Sequence, residues 1–414
     1  MSLSVNTSAF AKGRSDPGAA VDSSGTAVSG AVLPTIRALM SMPCADVGVG
    51  ETCRSLLRAA TMNGQAVELY TSRSDSIRPA AFPLFSYTPR HFDWIPHRVM
   101  RQISVRRLHH AYLDTFRQGD IAYLWPSVPL HIYQTLHARG IIILTEAINT
   151  RMAEARDVLD AAYADLGLPP GHRITQDRID NEEARLSLVS GIFSPSPATD
   201  ASLARSAIAD RVIPASYGTW VGGTRERAPR APDAPVTFLF VGRSCIRKGL
   251  HHLLEAWRKA PANARLRIIG LEEPSLQRLY AEVLAQQNVS ATGFCPDPQA
   301  EYARADVFVL PSLEEGDPIV TYEAAAAGLP ILASTQGAGR IGADTGAICQ
   351  FDTTNIEHLR WEIATFAASG DLRADWGARA RAAVLGYDWP LVARRRATAL
   401  AHFLAPQTLD CAAR

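Results

Sequence analysis

No apolar run in this sequence approaches the ~18–20 residues needed to cross a bilayer, so any membrane contact is expected to be peripheral. Close cysteine pairs are missing too. Cys44, Cys53, Cys245, Cys295, Cys349 and Cys411 are scattered, which excludes zinc-ligand and redox spacings and reads as reduced, buried small side chains. A charge excess is equally absent: 42 basic and 41 acidic residues nearly cancel, so no nucleic-acid partner is expected and recognition falls to local sites. Residues 1–30 are rich in Ser, Gly and Ala but lack the continuous apolar core of a signal peptide. They are expected to be a disordered tail on a cytoplasmic protein. There is no Gly-x-Gly-x-x-Gly with an acid ~20 residues on, the usual dinucleotide fingerprint, and no Asp-x-Asp set between apolar residues. A metal site is therefore not expected.

What is present is enough apolar side chain, 47% of 414 residues, for two cores, and that length exceeds what one core usually serves. From residue 31 the chain alternates short apolar runs with longer helical patterns, the signature of βα units feeding parallel sheets. Strands are expected at 35–42, 65–70, 120–124, 141–145 and 191–194, the last of the N-terminal half, with a helix at 130–139. Residues 217–235 are dense in Gly and Pro without periodicity and read as a linker. Strands then recur at 236–242, 266–270, 307–311 and 330–333, with a helix at 249–259. The expected fold class is α/β, two doubly wound Rossmann-like domains (31–216 and 236–385) facing a cleft where ligands gather at the carboxyl ends of the strands.

The most informative stretch runs from Asp306 to Leu332 and reads strand, loop, helix, strand. Pro318 suits the first helical position, and the amides that follow it point outward with the positive end of the helix dipole, an arrangement that binds phosphate. Glu315 lies in the loop and Glu323 in the second turn, so two carboxylates are available to sugar and ribose hydroxyls. A second group, Val241-Gly-Arg-Ser-Cys-Ile-Arg-Lys-Gly249, ends the first strand of this half. Cations there would neutralise charge developing on a leaving diphosphate. Arg243 suits a forked grip and Lys248 a compact point charge.

These marks resemble glycosyltransferase family 4, retaining transferases of the GT-B fold. They are Gly242-Arg243, Lys248-Gly249, Pro311-Ser312, Glu315 and Glu323 with seven residues between, and Gly328-Leu-Pro330. The pattern covers about residues 232–389, whereas the N-terminal half is similar in architecture only. The resemblance implies transfer of a sugar from a nucleoside diphosphate sugar to a glycan or glycolipid acceptor, the donor being a substrate and no cofactor being needed. It implies that Arg243 and Lys248 contact the diphosphate, Glu315 the sugar and Glu323 the ribose. Gly316, Asp317, Ile319 and Val320 would lie beside the donor and Phe294 near the base. It also implies a glycine turn, here Asp46-Val-Gly-Val-Gly-Glu51 with Gly48 and Gly50, near acceptor and diphosphate. A C-terminal helix over residues 386–414 would return to the N-terminal domain after Tyr387-Asp-Trp389.

Two departures stand out. Asp317 and Pro318 replace an aromatic and a glycine after Glu-Gly, which bears on donor choice. Where the family has a His after an N-domain strand, this chain offers Glu146, or else His131 or His137 from elsewhere. A catalytically silent sugar-nucleotide-binding subunit is the alternative these departures raise. Finally, residues 91–107 interleave basic and apolar side chains, either a solvated helix face or a peripheral contact with the inner membrane surface.

Overall fold

The computed structural model describes residues 34–74, 79–87, 97–117, 119–225, 231, 234–271 and 273–412. Strands buried on both faces of a parallel sheet must be apolar throughout, and the runs that satisfy this condition pair as expected. In the N-terminal half the order is β1 (Ile36–Met40), α1 (Gly48–Met62), β2 (Val67–Thr71), β3 (Leu84–Ser86), α2 (His97–Leu113), β4 (Ile121–Leu124) and α3 (Leu130–Ala138). There follow β5 (Ile142–Glu146), α4 (Met152–Asp165), α5 (Gln176–Leu186), β6 (Gly191–Ser194), α6 (Pro197–Ala204) and β7 (Val212–Pro214). Seven strands form one parallel sheet in the order β3-β2-β1-β4-β5-β6-β7. Ile36 is in register with Val67 on one side and Ile121 on the other.

The C-terminal half repeats the plan with β8 (Val236–Ser244), a short turn (Ile246–Lys248), α7 (Leu250–Trp257), β9 (Ala264–Leu271), α8 (Pro274–Leu279), α9 (Ala281–Leu284), β10 (Val289–Thr292) and α10 (Pro298–Arg304). Then come β11 (Val307–Leu310), α11 (Ile319–Ala326), β12 (Ile331–Ala333), α12 (Thr335–Thr345), β13 (Cys349–Gln350), α13 (Ile356–Ala368), α14 (Gly370–Val384) and α15 (Trp389–Ala412). This sheet has the order β10-β9-β8-β11-β12-β13. Phe238, Phe240, Trp257 and Phe308 are fully buried around it, as are Leu39, Met40, Leu69 and Trp125 around the first.

Each sheet winds outward from its first strand in both directions. The loops after β1 and β4, and those after β8 and β11, therefore diverge and leave a crevice at the carboxyl edge. α15 runs back over α1 of the first half, where Asn63 Nδ2 donates to the Pro390 carbonyl at 2.8 Å and Arg396 donates to Glu146 at 2.6 Å. Among the described residues no helix is long and apolar enough to cross a membrane.

Four strands lie outside the sequence expectations: β3, β7, β10 and β13. All four sit at or next to a sheet edge or end, where two to four residues suffice and no apolar run is required; β10, Val-Ser-Ala-Thr, is mostly exposed. The first half thus ends on β7, not β6. The expected tail at residues 1–30 and residues 91–96 of the basic stretch lie outside the described residues. Residues 97–107 fall in α2, where Arg106 and Arg107 are exposed while Leu108 and Tyr112 pack onto the sheet. In the segment expected as a linker, Thr219 bridges to Asp388, so its start is tied to the head of α15.

Candidate active site

The cations after β8 meet the carboxylate after β11 at the second crevice. Lys248 Nζ donates to Glu315 Oε1 at 2.6 Å, Arg247 to Glu315 Oε2 at 3.0 Å, and Ser312 Oγ to Glu315 Oε1 at 3.0 Å. Burial alone would raise the Glu315 carboxyl, but the charges of Arg247 and Lys248 overcome it and hold it down at about 2. Two glycines make the cluster fit. Gly249 has φ +67°, and a Cβ there would lie 1.8 Å from the Pro311 carbonyl. At Gly242 a Cβ would stand 2.8 Å from Lys248 Cδ, so the glycine leaves the surface on which the lysine stem lies. Arg243 is exposed at the end of β8. Arg247, which the motif reading passed over in favour of Arg243, is the second cation on Glu315. The signal available was its place beside Lys248 in the same glycine-bracketed loop.

On the far side of the loop, α11 begins at Ile319, and Pro318 is the residue before its first turn, with φ −74° and ψ 110°. Pro318 therefore caps the helix rather than occupying its first position. Its φ would suit a helix, but its extended ψ does not, so the helix starts after it. The amides of Ile319 and Val320 belong to the open first turn. In the second turn, Glu323 accepts the Tyr302 hydroxyl at 2.9 Å. Burial pushes the Glu323 carboxyl up to about 7, the Tyr302 hydrogen bond opposes this, and the charge of Glu51 adds to it. Glu51 follows Gly48 and Gly50 in the first turn of α1, so the glycine turn of the first domain and Glu323 of the second feel each other across the cleft. Gly48 adopts φ +55°, and a Cβ on Gly50 would lie 2.5 Å from the Ala45 carbonyl. Phe294 follows β10 at the same carboxyl edge and is 71% exposed, an aromatic face open to stacking.

The two domains touch at the glutamate loop itself. Glu314, 2% exposed, accepts Asn149 Nδ2 at 3.0 Å, the Thr150 amide at 2.9 Å and the Thr150 hydroxyl at 2.8 Å. A Cβ on Gly316 would meet the Ile148 carbonyl at 2.1 Å, so the loop after β5 lies directly on the Glu-Gly turn. Nearby, the Tyr163 hydroxyl donates to Glu273 at 2.9 Å, and Glu273 also takes the Ile246 amide at 3.0 Å. Sequence reading missed Glu314, whose partners are 164 and 165 residues away.

Several expectations are corrected. Asp317 does not face a donor: it is 5% exposed and accepts the Tyr217 amide (2.9 Å), the Tyr322 hydroxyl (2.7 Å) and the Arg340 amide (2.9 Å). Burial raises its carboxyl to about 6 against those three hydrogen bonds. It braces the loop, the segment at Tyr217 and α12 together. Glu146 does not take the place of a cleft histidine, because it is buried against Arg396 and Tyr123 beneath α15. His131 and His137 are exposed on α3. His131 stacks edge-on against His109, whose Nε2 lies 2.8 Å from Ser41 Oγ at the first crevice. Burial, with His131 adding, lowers His109 to about 4, so this ring is neutral. Arg340 reaches the Ser194 and Pro195 carbonyls and Asp200 of the first half.

Two doubly wound parallel sheets facing one cleft, with a helix returning from the second domain to the first, define the GT-B architecture. Residues 224–383 match the family model for glycosyl transferases group 1. Over 121 residues the chain is 33% identical to WcaL of Salmonella typhimurium, named for colanic acid biosynthesis as a glycosyltransferase. That alignment covers 26% of this chain and 30% of the length of WcaL. Among solved structures, a sucrose-phosphate synthase from Thermosynechococcus elongatus superposes with a TM-score of 0.69 at 18% identity, covering 90% of this chain and 100% of that one. HepE of Anabaena, solved with UDP and glucose, superposes with a TM-score of 0.62 at 15% identity, covering 89% and 100%.

Proposed function

We propose that this chain is a retaining glycosyltransferase of family 4 that moves a sugar from a nucleoside diphosphate sugar to an acceptor hydroxyl in polysaccharide or glycolipid assembly. The observation that carries the reading is the meeting of Lys248 and Arg247 with Glu315 at the crevice between β8 and β11, one loop away from the open first turn of α11 and Glu323. A departing diphosphate gathers negative charge, and preformed cations in a crevice stabilise that charge without reorganising. Glu315 aims Lys248. In this reading Arg243, at the crevice mouth, adds a grip on the phosphates, Ile319 and Val320 offer amides, Glu323 takes the ribose and Phe294 the base. The likeness to HepE, solved with UDP and glucose, and the naming of WcaL for colanic acid biosynthesis support donor and pathway class.

Glu315 is engaged by Lys248 and Arg247 and Glu314 by Asn149 and Thr150, which leaves neither as the nucleophile of a double-displacement hydrolase. Attack on the same face as the leaving group is therefore favoured, the departing phosphate taking the acceptor proton while the protein supplies position and charge. The test is transfer by purified protein from UDP-, GDP- and ADP-sugars, with and without chelator. Transfer that survives chelation and falls in E323A and K248A supports the reading. Transfer unchanged in both variants contradicts the site, and donor binding with neither transfer nor hydrolysis would point to a silent assembly subunit.

A further inference from the structure

We infer that Tyr302 is a positioning residue for the nucleoside, its buried hydroxyl fixing Glu323 in the orientation that accepts both hydroxyls of a ribose diol. This rests on the reading above that Glu323 receives the ribose. Tyr302 is fully buried on α10, edge-on to Phe308 with ring centroids 6.0 Å apart, and its hydroxyl donates to Glu323 Oε2 at 2.9 Å. α10 is itself capped and held by two ion pairs. Arg267 of β9 makes a two-point contact with the neighbouring Glu301 at 3.0 and 3.1 Å. Asp297 caps the helix through the Ala300 amide at 3.3 Å and pairs with Arg225 at 2.8 Å. The tyrosine hydroxyl is therefore a fixed point in the second domain, and the carboxylate is the movable partner.

A carboxylate offers about four acceptor directions, and a vicinal diol needs two of them on one edge. With one direction on Oε2 taken by Tyr302, the carboxyl plane cannot rotate freely, and Oε1 with the remaining lone pair of Oε2 stays available together. The same bond favours the ionised state in a setting where burial and Glu51 disfavour it. Nothing but this hydroxyl distinguishes tyrosine from phenylalanine here, because the ring contact with Phe308 needs no oxygen.

The experiment is a cycle of Y302F, E323A and the double variant, reading KM for the donor sugar and kcat separately, with thermal midpoints as a check on folding. Loss of one hydrogen bond to a charged group predicts a donor KM raised about tenfold in Y302F, with kcat within about twofold and a midpoint lowered by only about 2–4 °C, which leaves the protein folded at the assay temperature. In the E323A background the added Y302F change is expected to have no further effect on KM, since the group it positions is gone. A Y302F penalty of equal size in both backgrounds would make Tyr302 a packing residue and overturn the inference. So would an unchanged KM in Y302F alongside a raised KM in E323A. An unchanged KM in E323A would remove the ribose reading itself, and this inference with it.

Discussion

Lys248 Nζ and Glu315 Oε1 lie 2.6 Å apart in a crevice where Arg247 holds the other carboxylate oxygen at 3.0 Å. Arg247 also lies 3.5 Å from Glu314, so two cations face two carboxylates in the cluster and hold one another in place before any ligand arrives. K248A is expected to lower kcat for transfer by about 10²–10³-fold, the usual cost of one preorganised charge-stabilising donor. The check is single-turnover transfer at saturating donor, compared with donor affinity by titration. A variant that lost affinity alone and kept its kcat would assign Lys248 to ground-state binding only.

Glu314 is the neighbouring carboxylate with a different task. It receives three hydrogen bonds from Asn149 and Thr150 of the first domain. E314A is expected to cost about 2–3 kcal/mol in urea unfolding, at roughly 1 kcal/mol for each hydrogen bond lost. It should also speed amide exchange at Thr150 while leaving exchange in β8 and β11 unchanged. Uniform acceleration across both domains would mean that the contact is not local to the cleft.

Glu323 supplies the pH dependence. Its carboxyl, pushed up to about 7, must be ionised to accept two hydroxyls, so affinity for nucleoside diphosphate should fall as pH drops below about 7 and level off above it. In E323Q this limb should vanish. Stability carries the opposite sign. The folded value lies above the ordinary ~4.3 of an unfolded glutamate, so the native state holds the proton longer. The contribution is present below about 4.3 and is lost as pH rises toward 7. E323Q should therefore lose less stability than the parent between pH 5 and 7, as read by urea midpoints across that range. Identical pH profiles for parent and variant would place the titrating group elsewhere.

The architecture was legible because strands buried on both faces leave apolar runs, and β1, β5, β8 and β11 announce themselves that way. β10 and β13 do not, being short strands at the sheet edge with polar or exposed positions. Within the site, the positions of Glu315 and Lys248 were legible because each lies a few residues past a strand end, and that of Glu323 because it falls in the second turn of the helix that follows the loop. Asp317 was misread for a related reason: adjacency in sequence to Glu315 says nothing about direction, and its side chain points back to Tyr217 and Arg340. Glu314 and Tyr302 act through partners on other elements, and Glu146 pairs with an arginine 250 residues away. The Glu314 and Glu146 pairings exist only once the C-terminal half is docked on the first domain, and that of Tyr302 only once α10 and α11 pack together.

The central claim is that the cleft holds a nucleoside diphosphate sugar through Glu323 and the cations around Glu315. It is tested most directly by thermal shift of parent and E323A proteins across a panel of UDP-, GDP- and ADP-sugars. A ligand that binds only the native state stabilises it by about 2.7 kcal/mol at a hundredfold excess over its dissociation constant. The account predicts a raised midpoint for the parent with at least one member of the panel and a much smaller rise for E323A at the same concentration. No shift with any member, or equal shifts in both proteins, would contradict it.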